Sequence, residues 1–412
     1  MDDTRDQDQI TFSRSFLMVT GLMCFVLRLG ARRQIHFAMP GQATLANLNA
    51  LAGAHQDKLA HGDTVDHFLG HVPVGSLAQL QHRMIHRLIR MKALDAGRLQ
   101  GRFLVAIDGT GMLHFSTPHC PHCLRRRAHG RVRYYHQVLE AKLVTPQGLA
   151  LSMETEFIEN TDPNASKQDC EQRAFVRLAR RLRRNYPQLQ LCLCLDALYA
   201  CGPILALCRE NHWRYLITFK PGALPSLWLE YVALRNLCPE NRKMLQIDAH
   251  TRQEFAWVSD LEYRDSSGRT HRVNAFECRE TVGEQTRYFA WLTNLPVDRH
   301  TVANMANNGG RCRWKIENQG FNIQKNRGFN LEHAYSNQAR QMHNWYLLLQ
   351  IAHLMVQLLE HGNLITRQAK KSFGSMVNLA RRLAESFRYW VIAHEALDPA
   401  EARHIQIRLD SS

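Results

Sequence analysis

Two apolar runs that each end on an aspartate constrain this chain more than any other feature. Phe103-Leu-Val-Ala-Ile107 leads into Asp108-Gly109-Thr110-Gly111, and Leu189-Gln-Leu-Cys-Leu-Cys-Leu195 leads into Asp196. Short apolar runs with little polar alternation are the pattern of strands covered on both faces, as in the parallel part of an α/β sheet. Such strands need helices over them, and 412 residues with 45% apolar content supply that material.

Ahead of the first run, residues 1–100 read as helical. Thr44-Leu-Ala-Asn-Leu-Asn-Ala-Leu-Ala52 and Leu77-Ala-Gln-Leu-Gln-His-Arg-Met-Ile-His-Arg-Leu-Ile89 space apolar residues at three and four, the helix period. His82, Arg83, His86, Arg87 and Arg90 fall on or beside the second, either as a solvated face or as a binding one. Phe16 to Leu27 is apolar but short for a membrane span, contains Gly21, and follows Asp2, Asp3, Asp6 and Asp8 where a secretion signal would be basic. It reads as a buried helix, in a protein without a membrane segment.

Beyond Asp108, the pattern predicts a turn, a second strand at Met112–Ser116 and a third at Tyr134–Val144, with sheet character continuing over Leu149–Phe157. A basic amphipathic helix follows from Lys167 to Arg184, then the strand ending at Asp196, a short helix at Ile204–Arg209 and a strand at Tyr215–Phe219. Residues 224–298 are strand-rich after one helix (Leu227–Leu237), with runs at Glu254–Val258, Arg272–Cys278 and Thr286–Leu292 and a turn at Ser266-Ser267-Gly268. Helices return after Pro296, one carrying Glu317 and a longer apolar one at Ala339–Leu359. The boundaries implied are 1–100, 101–223, 224–298, 299–360 and a basic helical 361–412.

The net charge of +15 and pI near 9.5 point to a polyanionic partner, since Lys and Arg on phosphates release condensed counterions. Three basic patches are candidates for tracking a nucleic-acid backbone: Arg125, Arg126, Arg127, Arg131 and Arg133; Arg173, Arg177, Arg180, Arg181, Arg183 and Arg184; and Arg367, Lys370, Lys371, Arg381 and Arg382. Eleven scattered cysteines form no disulfide framework and suit the reducing cytoplasm.

The element order is strand with Asp108, two further strands, helix, strand with Asp196, helix, strand, and later a helix with Glu317. It resembles the ribonuclease H-like layout, an α/β fold in which acids gather at one edge of a mixed sheet. Asp108 and Asp196 would lie side by side at their strand ends, and a helix could bring Glu317 to them. Each acid also has an ordinary reading, as a turn residue, a helix N-cap and a helix former respectively. Together they would offer hard oxygen donors to Mg²⁺ or Mn²⁺. Two such ions can clamp the attacking and leaving oxygens of a displacement at phosphorus.

The segment Arg313-Trp314-Lys315-Ile316-Glu317-Asn318 resembles the signature around the third acid of bacterial insertion-sequence DDE transposases. So do Val105-Ala-Ile-Asp108-Gly-Thr110 and Leu292-Thr-Asn-Leu-Pro296. The resemblance implies a ribonuclease H-like core with a β-rich insertion at 224–298, and metal-dependent cleavage and strand transfer of DNA through Asp108, Asp196 and Glu317. It also implies Trp314 stacked on an unpaired base, with a core Trp as the alternative, and a homodimer on double-stranded element ends and target. Arg313 and Glu317, at i and i+4, share a helix face, so Arg313 reaches a phosphate or forms an ordinary helix salt bridge. Where the family carries a Tyr three residues before the Arg and a basic residue seven after the Glu, this chain has Gly310 and Gln324, with Lys325 one place beyond as a substitute. A binding-only relative, and a nuclease that cuts without transposing, are the alternative readings.

His119-Cys120-Pro121-His122-Cys123 contains half of a tetrahedral Zn²⁺ set, which His114, His129 or His136 would complete; a metal-free loop is the alternative. Five arginines follow it between positions 125 and 133, so a zinc-pinned loop would present them to phosphates.

Overall fold

The computed structural model describes residue 5 and residues 10–118, 120–128, 130–160, 168–393, 395 and 405–409. His119 and His129 lie outside these residues, as do Asp2, Asp3, Asp6, Asp8 and Lys167. Among the described residues the strands form one mixed, ten-stranded sheet. They are β1 (Phe103–Phe115), β2 (Leu124–Ala128), β3 (Arg131–Val144), β4 (Ala150–Ile158), β5 (Leu191–Leu195), β6 (Arg214–Thr218), β7 (Arg242–Gln246), β8 (Thr251–Arg264), β9 (Thr270–Val282) and β10 (Gln285–Thr293). The order across the sheet is β2-β3-β1-β5-β6-β10-β9-β8-β7, with β4 also paired to β3.

Strands β1, β5 and β6 are parallel, whereas β3 runs antiparallel to β1, β2 and β4. Phe103, Val105 and Ile107 of β1 pack into a core shared with Phe175 and Leu178 of helix Glu171–Asn185. Leu104 and Ala106 point the other way, into a core with Met305, Cys312, Ile316 and Phe321. β5 divides likewise, with Leu191, Leu193 and Leu195 on one side and Cys192 and Cys194 on the other. Burial on both faces explains the continuous apolar runs; each large side chain so buried contributes roughly 1.5–3 kcal/mol before entropy is set against it.

Two expectations are corrected. The turn after Asp108 and the strand at Met112–Ser116 are one strand: β1 continues through Gly109 and Gly111 because β3 stays paired along it, with a bulge between Gly111 and Leu113. The arginine run at 125–133 is not a loop but the β2–β3 hairpin, turned at Gly130 with φ +75°. The strand-rich segment 224–298 joins the central sheet. β10 pairs antiparallel with β6 through Trp291↔Thr218, Leu292↔Ile217 and Thr293↔Leu216, so β7–β10 extend the central sheet.

The helices Arg14–Val26, Gly62–His71 and Val74–Arg90 pack against the long helix Ala339–His361. Phe16, Phe25, Val65, Phe68, Trp345 and Leu348 share one buried cluster there. Asp66 ties the junction, accepting from Trp345 Nε1 at 2.9 Å and from Arg32 Nη1 at 2.6 Å. The apolar run at Phe16–Leu27 is thus a buried helix; among the described residues no helix is long and apolar enough to cross a membrane.

Candidate active site

The parallel register Ala106↔Cys194 carries Asp108 and Asp196 forward together, each two residues beyond it. By the two-residue period of a strand, both face the side covered by residues 302–321. Asp108 Oδ1 accepts from the Gly109 N–H at 2.9 Å, and its Oδ2 meets Arg313 Nη1 at 3.3 Å. Asp196 Oδ1 accepts from the Leu198 N–H at 2.6 Å, so this aspartate also caps the 3-10 turn Ala197–Tyr199.

A third carboxylate, Glu171, enters from the opposite face. It opens helix Glu171–Asn185, where the helix dipole favours negative charge, and its Oε1 accepts from Gln137 Nε2 at 2.5 Å. Gly109 makes room for it, since a Cβ there would collide with the Glu171 carboxylate. Burial pushes the Asp108 carboxyl up, Arg313 and the Gly109 N–H pull it down, and the charges of Asp196 and Glu171 push it up again, to about 6. Burial likewise raises Glu171, offset in part by Gln137 and reinforced by Asp196. Sequence reasoning missed Glu171, because an acid in a first helical turn is commonplace.

The segment carrying Glu317 is not one regular α-helix. Gly310–Arg313 is a 3-10 turn, Ile316–Phe321 is π-helical, and Asn322–Asn326 returns to α. Arg313 pairs with Asp108, not in a helix salt bridge with Glu317. Ile316, Gly320 and Phe321 turn inward and leave Glu317 exposed. Among the described residues the carboxylates of Asp108, Asp196 and Glu317 do not converge within 4.8 Å. Widened turns of this kind occur often at functional sites.

A cleft of about 430 Å³ runs from Asp196 past Lys220, Trp228 and Trp291 to Arg313 and Trp314. Trp314 is 52% exposed, and the Arg313 guanidinium lies 4.5 Å from its ring centroid. Gly310 is tight against the cleft wall, where a Cβ would collide with the Trp291 indole. Gln324 is wholly buried, donating to Gln350 at 2.8 Å and pairing with His353 at 2.9 Å. Lys142, also fully buried, donates to the same Gln350 at 2.6 Å and pairs with Glu140 at 3.1 Å. Position 324 is a core position, and the exposed-side cation is Lys325, paired with Glu332 at 3.0 Å.

Arg125, Arg126, Arg127, Arg131 and Arg133 are all exposed on the hairpin. Burial lowers the proton affinity of His114, Glu332 raises it, and Arg126, Lys325 and Arg133 lower it further, so these cations share one neighbourhood. In the second patch, Arg177 is engaged by Glu156 and Asp169, and Arg181 by Glu154 and Glu156. These two arginines hold the helix to β4, while Arg173, Arg180, Arg183 and Arg184 are exposed. Of the histidines weighed beside Cys120 and Cys123, His136 faces both thiols, at 3.4 and 3.5 Å, whereas His114 stacks on Tyr135 at 6.3 Å between centroids.

No family model matches this chain, and no curated protein matches it in sequence.

Proposed function

We propose that this chain is a DNA transposase with a ribonuclease H-like core, cleaving and joining strands through Asp108, Asp196 and Glu317. The observation that carries the reading is the parallel β1–β5 pairing at Ala106↔Cys194, which sets two aspartates abreast beside Arg313. The order β4-β3-β1-β5-β6, antiparallel before parallel, supports the same fold.

The donor set suits Mg²⁺ or Mn²⁺: these carboxylates are hard oxygen ligands, and the Asp196 charge lies close enough to raise the Asp108 carboxyl. Two such ions would supply activation of the attacking oxygen and charge neutralisation on the leaving one. Asp108 and Asp196 would hold the metal, with Glu317 on the adjoining turn as the third acid. Arg313, released by a phosphate from part of its hold on Asp108, orients that phosphate. Trp314 and the neighbouring aromatic cleft accept an unstacked base. The Arg hairpin and Lys325 neutralise duplex phosphates on the flank, and two chains act together on paired ends.

The deciding experiment is Mg²⁺- or Mn²⁺-dependent cutting of DNA that carries the inverted repeats flanking the coding region. Asp108→Ala, Asp196→Ala and Glu317→Ala should each abolish cutting while DNA binding survives. Binding without cutting by the wild type would favour the binding-only reading. Cutting without strand transfer would make the chain a nuclease.

A further inference from the structure

We propose that Cys120, Cys123 and His136 bind a zinc ion that fixes the arginine hairpin to the sheet. The two Sγ atoms are 3.7 Å apart, and His136 Nε2 stands 3.4 Å from one and 3.5 Å from the other. A tetrahedral ion with Zn–S near 2.3 Å and Zn–N near 2.05 Å requires edges of about 3.8 Å (S···S) and about 3.5 Å (S···N). The triangle is one face of that tetrahedron. A disulfide would need the sulfurs at about 2.05 Å, far inside the separation seen.

The surroundings match those of a metal-bound imidazole. His136 is 2% exposed, and its Nδ1 faces Glu159 Oε1 at 3.5 Å while Nε2 faces the sulfurs. Glu159 is held in turn by His343 Nε2 at 2.8 Å. A carboxylate behind the ring fixes the tautomer that leaves the lone pair on the metal side. The buried His136 Nδ1 makes no hydrogen bond, and Glu159 Oε1 is the acceptor that stands opposite it. Two thiolates and an imidazole select Zn²⁺ over the hard cations suited to Asp108 and Asp196. The fourth vertex is left for water or a further side chain.

The ion would join two parts of the chain. Cys120 and Cys123 belong to the connection between β1 and β2, and His136 lies in β3 opposite Leu113 of β1. β2 is an edge strand, held by β3 on one side. A cross-link at its base would set the direction in which Arg125, Arg126, Arg127, Arg131 and Arg133 project. This role does not depend on the transposase reading.

The test uses the full chain, kept reduced, with Zn²⁺ measured by elemental analysis and Co²⁺ as a spectroscopic probe. One tightly held Zn²⁺ per chain is expected, and Co²⁺ should give a thiolate-to-metal charge-transfer band. Cys120→Ser, at the more exposed ligand, and His136→Asn should each weaken the band and release the metal. Glu159→Gln should keep the stoichiometry but release zinc about 10–100-fold more readily. A folded, reduced wild type that gives no charge-transfer band overturns the proposal, whatever the variants do. So does a band that is unchanged in both Cys120→Ser and His136→Asn.

Discussion

Arg313 Nη1 lies 3.3 Å from Asp108 Oδ2, across more than two hundred residues of chain. The contact joins the strand edge to the turn that carries Glu317. It is also the main charge opposing the burial of Asp108. Removing it should therefore raise the Asp108 carboxyl further. In Arg313→Ala the acid limb of metal-dependent cutting is expected to move to higher pH, with a loss of rate on the order of 100-fold or more from the missing phosphate contact. An unshifted limb would mean that Arg313 acts on phosphate alone.

Asp108 also makes a stability prediction with a definite sign. Its carboxyl titrates near 6 in the fold against an ordinary value of 3.8, so the native state holds the proton more tightly than the unfolded chain. The contribution is most favourable below about 3.8 and is lost as pH rises through about 6. Asp108→Asn should thus stabilise the metal-free protein by about 2–3 kcal/mol at pH 8 and by little near pH 4. Urea denaturation at the two pH values checks this; equal effects at both would contradict it.

Divalent cations should show the reverse dependence. Above pH 6 they compete with no proton at Asp108, and Mg²⁺ or Mn²⁺ is expected to raise the melting temperature. Below about pH 5 the increment should vanish, and Asp108→Asn should abolish it at every pH.

Gly109, within a strand, and Gly310, opening a 3-10 turn, are both required by close packing. Gly109→Ala would displace Glu171, and Gly310→Tyr would drive a ring into Trp291. The first should destabilise the fold by roughly 1–3 kcal/mol, and the second by at least that much, seen by thermal melting and Trp fluorescence. The tyrosine found at this position in the resembling family is thus sterically excluded here.

The basic surfaces separate by salt dependence. Neutralising Arg125, Arg126, Arg127, Arg131 and Arg133 together should flatten the plot of log affinity against log salt by about 0.9 for each DNA phosphate left without its arginine. Arg177→Gln and Arg181→Gln should leave that slope alone and loosen helix Glu171–Asn185 from β4.

What the sequence made legible was local. Unbroken apolar runs announced strands buried on both faces, and their shared aspartate endings announced the pair at the sheet edge. Strand continuity past Gly109 was hidden because glycines usually mark turns, and only β3, far along the chain, keeps them extended. Glu171 and Arg181 look like ordinary helix residues until the helix is laid on the sheet. The π-helical stretch after Lys315 was equally invisible, since Ile316 and Phe321 meet Leu104 and Ala106 of β1 only once the chain is folded. His136 stood among three equivalent candidates until β3 carried it to the thiols.

The β10–β6 pairing bears on modularity. An insertion that were a detachable module could be deleted at 224–298 and leave a folded remainder. Here its excision would bare the backbone of β6 along Leu216, Ile217 and Thr218, an apolar, uncharged border able to recruit strands from other molecules. A shortened version of this protein should therefore fail by self-association rather than by simple loss of activity. Shortening that is tolerated would have to spare the Gln285–Thr293 strand and trim from β7 inward.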